Sequence, residues 1–245
     1  MQPLADILIV ADEDKIYGVE KDYYPSLKEA VDNGNLLLIP YTEWRESSLK
    51  LRSTPLCNGE DIYIRNPYFN YYISSSDNEL LDIFCEDKSV AIKEALVWMG
   101  AKHIVIEEEV KDEDRLKASL DVGVKGGLDA GSLNTKFAKM SSLDIKTRIE
   151  SHDNDRTPKS IQEVGGFLSR HGLIQDTKLS LLAERLRVDG KLSGSEKYTV
   201  TYLNEVQFAL NILAKVDYKV FSSNLDFSLE HNHLHTFSRV LDITF

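Results

Sequence analysis

The chain has 245 residues, 42% of them hydrophobic and 28% charged, and its 40 acidic against 29 basic side chains leave it at −11. That size and balance suit a globular protein with one full core or two small ones. They argue against nucleic acid as a partner, because phosphate contacts need clustered Lys and Arg, and no run of about 18 apolar residues encodes a transmembrane helix.

The first strand is expected at Asp6–Ala11, a short apolar run rich in β-branched residues. Pro25 suits a first helical position, with Leu27, Ala30 and Val31 as the apolar face and Gly34 as the stop. Leu36–Ile39, ending at Pro40, reads as a buried strand. Asp61–Ser74 is aromatic and β-branched and is broken by the turn dipeptide Asn66-Pro67, which predicts a hairpin. Ser76 and Glu79 have capping-box spacing, predicting a short helix to about Phe84. A second helix is expected over Lys88–Met99, closed by Gly100. His103–Glu107 returns as a strand before the acidic turn Glu107–Asp114.

From residue 116 the alternation becomes strict. Leu116, Ala118, Leu120, Val122 and Val124 share one face of an extended chain, and Leu143, Ile145, Thr147 and Ile149 repeat the pattern. Ser151–Pro158 is polar and turn-prone and reads as a boundary. Helical periodicity follows, in three helices: one from Pro158 to about Arg170, one capped by Asp176 and ended by Gly190, and a third over about 196–216. Strands return after Tyr218. The expected class is α+β: an antiparallel amphipathic sheet from about 103–150 plus a C-terminal hairpin, with a three-helix segment over about 158–216. A single integrated domain over 1–245 is favoured, with subdivision into 1–150 and 151–245 as the alternative.

The charge is unevenly spread. Residues 1–115 hold 24 acidic and 12 basic side chains, net −12, whereas residues 116–245 hold 16 and 17, net +1. Cys57 and Cys85 make no disulfide framework and read as thiols in a reducing cytoplasm. The opening Met1–Asp6 lacks the basic and apolar regions of a secretory signal. No dinucleotide or phosphate-binding glycine motif, GxSxG or HExxH occurs, so the common signposts of nucleotide, serine-hydrolase and zinc-protease chemistry are missing.

Three constellations remain as candidates. His231, His233 and His235 stand at i, i+2 and i+4, so on a strand three imidazoles share a face and can converge on a divalent transition metal. Asp153 or Asp155 would support a metal-dependent hydrolase built there. Tyr63, Tyr68, Tyr71 and Tyr72 crowd the first hairpin and offer a small-molecule binding surface, although such a cluster also suits a sheet core. The amphipathic segment is the third. Leu116, Leu120, Val122 and Val124 face one way, and Lys125, Lys136 and Lys139 help make residues 116–149 locally net +3.

That pattern suits assembly through a strand edge or, at the extreme, insertion into a membrane as a hairpin. It is similar in physical character to the hairpins of gasdermin-like and perforin-like pore formers, with no motif of either present. The preferred expectation is a non-enzymatic interaction or effector protein working through self-association or a protein partner, without a cofactor. The metal-dependent hydrolase and the small-molecule binding module are the alternatives.

Overall fold

A computed structural model describes residues 5–57, 60–75, 77, 80–110, 151–152, 157–201 and 238–245. They form two compact units. The first takes the described residues within Met1–Asn66 and Asn70–Leu81; the second takes those within Pro67–Phe69, Asp82–Val206 and His233–Phe245. The described residues of the polar segment 151–158 belong to the second unit.

The first unit is built on a four-stranded mixed sheet in the order β2-β1-β3-β4. Its strands are β1 (Ile7–Ala11), β2 (Leu36–Pro40), β3 (Glu60–Arg65) and β4 (Tyr72–Ser74). β1 pairs parallel to β2 and antiparallel to β3, and β3–β4 is the hairpin expected at Asn66-Pro67. All five residues of β1 are buried, because its neighbours cover both edges and both faces carry apolar side chains. On one face Leu8, Val10, Tyr63 and Tyr72 cluster with Leu37, Ile39, Tyr41, Trp44, Leu49 and Leu51. Alternation turns Ile7, Ile9, Ile62, Ile64 and Ile73 to the other face, where they are also buried. Beyond β4, the Tyr72 N–H donates to the Lys50 carbonyl at 2.8 Å and the Arg52 N–H donates to the Tyr72 carbonyl at 2.9 Å.

Parallel strands need a crossover, and here it consists of α1 (Glu13–Glu20) and α2 (Pro25–Asp32). α2 starts on Pro25 and ends before Gly34, whose φ of +71° suits glycine. α1 has no counterpart in the sequence reading. It is short, only Gly18 and Val19 are buried, and its first turn holds Glu13 and Asp14, which suit the positive end of a helix dipole.

The second unit combines α3 (Leu80–Trp98) from Asp82 onward, α4 (Ile161–Arg170) and α5 (Thr177–Asp189) with an antiparallel sheet in the order β6-β5-β8-β7. The strands are β5 (His103–Val110), β6 (Ser151–His152), β7 (Ser195–Thr201) and β8 (Ser238–Thr244). β8 lies between β5 and β7, so it is an inner strand of the sheet. α3 buries Phe84, Ala91, Ile92, Ala95 and Leu96, and the half-buried Trp98 ring sits 4.8 Å from Phe167 of α4. α4 opens with a full capping box, Ser160 Oγ accepting from the Glu163 N–H and Glu163 accepting from the Ser160 N–H. At its other end His171 stacks on Phe167 at 4.1 Å and donates from Nδ1 to the Tyr68 carbonyl at 2.8 Å.

Three expected elements are corrected. The two helices expected over 76–84 and 88–99 are one, because the acidic Glu86-Asp87 sits within a continuous helix rather than between two. β5 runs on past Glu107 to Val110, with a register shift after Ile106, because β8 supplies backbone partners for Glu108–Val110. The helix expected from 196 begins instead as β7: Tyr198-Thr199-Val200-Thr201 is a β-branched run that buries Tyr198 and Val200 and exposes the residues between. Its apolar positions from Val206 onward lie outside the described residues.

Candidate functional site

Because β1 and β2 are parallel, their carboxyl ends lie side by side, and the antiparallel β3 starts beside them. Ala11 is paired with Pro40 on one side and with Glu60 on the other. At this edge the first unit holds an open cleft of about 720 Å³. Crevices outside the carboxyl ends of strands are where sheets with parallel pairs receive ligands, and the volume is within the range of small-molecule sites.

Each wall follows from local sequence. Asp12 is the N-cap of α1, and its carbonyl accepts from the Lys15 and Ile16 N–H groups at 3.1 and 3.3 Å. Its side chain makes no cap bond, and with Glu13 and Asp14 it lines the cleft. Tyr41 and Thr42 leave the end of β2, where the Tyr41 N–H donates to the Ala11 carbonyl at 3.0 Å and holds the two strand ends together. Thr42 Oγ1 donates to Glu13 Oε1 at 3.1 Å. Glu60 enters from β3, and Tyr24 from the turn between α1 and α2.

The electrostatics are organised around one cation. Lys15 Nζ lies 2.5 Å from Glu60 Oε1, with side-chain exposures of 15% and 18%, and 4.4 Å from the centroid of the Tyr24 ring. A carboxylate and an aromatic face thus hold the same ammonium, both being groups that stabilise a partly desolvated cation. The Tyr41 hydroxyl donates to Asp61 Oδ2 at 2.7 Å, and the same oxygen accepts from the Cys57 N–H at 3.2 Å. Burial, and then the Asp61 carboxylate, push the Tyr41 hydroxyl well above its ordinary value, so it stays a protonated donor. Among the described residues the lining holds four carboxylates and one ammonium, net −3.

Such a cleft favours cationic ligands. Its carboxylates supply attraction, and its tyrosines supply flat surface and hydroxyls. Among the described residues no group of three His, Cys, Asp or Glu side chains is placed to hold a metal ion.

The four tyrosines singled out in the sequence lie elsewhere. Tyr63 and Tyr72 are each 1% exposed; their hydroxyls donate to the Ser53 and Ala5 carbonyls at 3.3 and 2.9 Å. Tyr68 is buried in the second unit and Tyr71 is half-buried, so none of the four tyrosines lines the cleft. Burial raises the Tyr63 and Tyr72 hydroxyls as well, as expected of core rings. His231, His233, His235, Asp153 and Asp155 lie outside the described residues, as do Leu116, Leu120, Val122, Val124, Lys125, Lys136 and Lys139. His152 stands in β6 directly opposite His103 of β5.

Sequence reasoning missed the cleft, yet a signal for it was there. Leu8–Ala11 and Leu36–Ile39 are both uninterrupted apolar runs, the mark of strands covered on both faces, and a helical segment separates them. Together these describe a parallel pair with a crossover, whose carboxyl ends begin at Asp12 and Tyr41. Among the described residues no helix is long and apolar enough to cross a membrane. Compared with protein-family models, curated proteins and solved structures, the chain gives no match.

Proposed function

We propose that the protein is a small-molecule binding module whose first unit takes an organic cation, such as a polyamine or another alkylamine, in the cleft at the carboxyl ends of β1 and β2. The observation that carries this reading is the cleft's composition among the described residues: four carboxylates, two tyrosines and one lysine around about 720 Å³. A ligand ammonium would meet the carboxylates of Asp12, Glu13 and Asp14, and its methylenes would lie along Tyr24 or Tyr41. Among the described residues the lining offers carboxylates, phenols, one hydroxyl and one ammonium, a set that suits holding a cation.

Thermal unfolding with and without spermidine tests the proposal, with putrescine and sodium chloride of equal ionic strength as comparisons. A ligand at 100 times its dissociation constant stabilises the bound form by about 2.7 kcal/mol. The melting temperature should rise with spermidine beyond the salt control, and the rise should vanish in Asp12→Asn/Asp14→Asn. An equal response to spermidine and to salt would sink the reading.

A further inference from the structure

Gly18 sits buried in the last turn of α1, an eight-residue helix, although glycine is a poor helix former. No positive φ calls for glycine there, since Gly18 is not among the glycines with left-handed backbone. The reason for it is spatial. A Cβ on Gly18 would stand 2.7 Å from Cε2 and 3.3 Å from Cδ2 of Tyr24, closer than carbon atoms pack. Lys15 precedes Gly18 by three residues, so the two share the face of α1 on which the Tyr24 ring lies. Lys15 covers the ring centre, and Gly18 leaves room for its edge.

We infer that Gly18 is a positioning residue of the cleft: its missing side chain seats Tyr24 against α1 beneath the Lys15 ammonium. This rests on reading the cleft as a ligand site. The arrangement fixes one aromatic wall and, through Lys15, the orientation of Glu60 opposite. The obstructing atoms belong to a side chain that can swing, so Gly18→Ala folds and moves the ring instead of breaking the unit. Helix propensity favours the alanine, so the glycine is a local sacrifice of stability for site geometry.

The test is a double-mutant cycle of Gly18→Ala and Tyr24→Leu on the full chain, read by urea unfolding and by spermidine titration. Gly18→Ala should raise the unfolding midpoint clearly in the Tyr24→Leu background and much less in the unmodified one. It should also weaken spermidine at least tenfold, whereas Gly165→Ala, on α4, should leave binding unchanged. An equal rise in midpoint in both backgrounds, or unaltered spermidine affinity, overturns the role of Gly18. Failure of the unmodified protein to bind spermidine overturns the cleft reading instead, and with it any part Gly18 plays in a site; coupling to Tyr24 would then be packing alone.

Discussion

Replacing Asp176 with alanine removes two hydrogen bonds in the second unit at once. One carboxylate oxygen accepts from the Leu179 N–H at 2.9 Å and caps α5; the other accepts from the hydroxyl of Tyr198, a β7 residue that is 4% exposed. Losing an N-cap costs about 1 kcal/mol, and losing a hydrogen bond to a charged group costs about 1.5–3 kcal/mol. Asp176→Ala should therefore lower stability by about 2.5–4 kcal/mol, or roughly 5–15 °C in melting temperature for a chain of this size. Tyr198→Phe should lose only the second part. Adding it to Asp176→Ala should cost little more, a coupling of at least about 1 kcal/mol. Urea unfolding of the four proteins, followed by far-ultraviolet circular dichroism, measures each corner of the cycle. Strict additivity, or a loss below about 0.5 kcal/mol for Asp176→Ala, would show that the carboxylate does not join α5 to β7.

Gly165 and Gly166 lie inside α4 with open space where a Cβ would go, so alanine at either should raise stability by up to about 1 kcal/mol in the same unfolding assay. Gly172 is the opposite case. Its φ is +63° and its Cβ would stand 2.8 Å from the Pro67 carbonyl oxygen, so Gly172→Ala should cost more than about 2 kcal/mol. Glu196 accepts from Lys178 at 2.7 Å and from Arg185, and these bonds hold its carboxyl below the ordinary 4.5. A carboxyl depressed by folding stabilises the native state above its unfolded value, and that contribution fades as pH falls through the lowered folded value. Glu196→Gln should therefore flatten the fall in urea midpoint between about pH 6 and about pH 3 relative to the unmodified protein. Parallel curves would mean that the three side chains do not interact in solution.

Where the sequence and the structure agree, a local physical rule was enough. Pro25 and Gly34 bracket α2, Asn66-Pro67 turns the first hairpin, and Asp176 and Gly190 mark the ends of α5, because each acts on its own backbone. Where they part, a distant partner decides. Glu108 and Glu109 read as solvated turn residues until β8, more than 120 positions later, supplies their ladder. Tyr198–Thr201 could have continued a helix by periodicity; pairing with β8 on the sheet's edge makes it a strand. The cleft is a similar case. Asp12, Tyr41 and Glu60 are scattered in the chain and meet only because β1 lies parallel to one neighbour and antiparallel to the other. The aromatic cluster drew attention for its composition, whereas the sheet uses Tyr63 and Tyr72 as core.

The bond from His171 to Tyr68 decides where a proton resides. A carbonyl oxygen can only accept, so the imidazole must carry hydrogen on Nδ1 whenever the 2.8 Å contact is made. The neutral ring is thereby confined to one of its two tautomers, with the lone pair on Nε2. Through that bond the turn at Pro67–Phe69 is tethered to the end of α4. Ring nitrogen chemical shifts distinguish the two tautomers directly, and they make His171 a built-in reporter of whether that tether is closed.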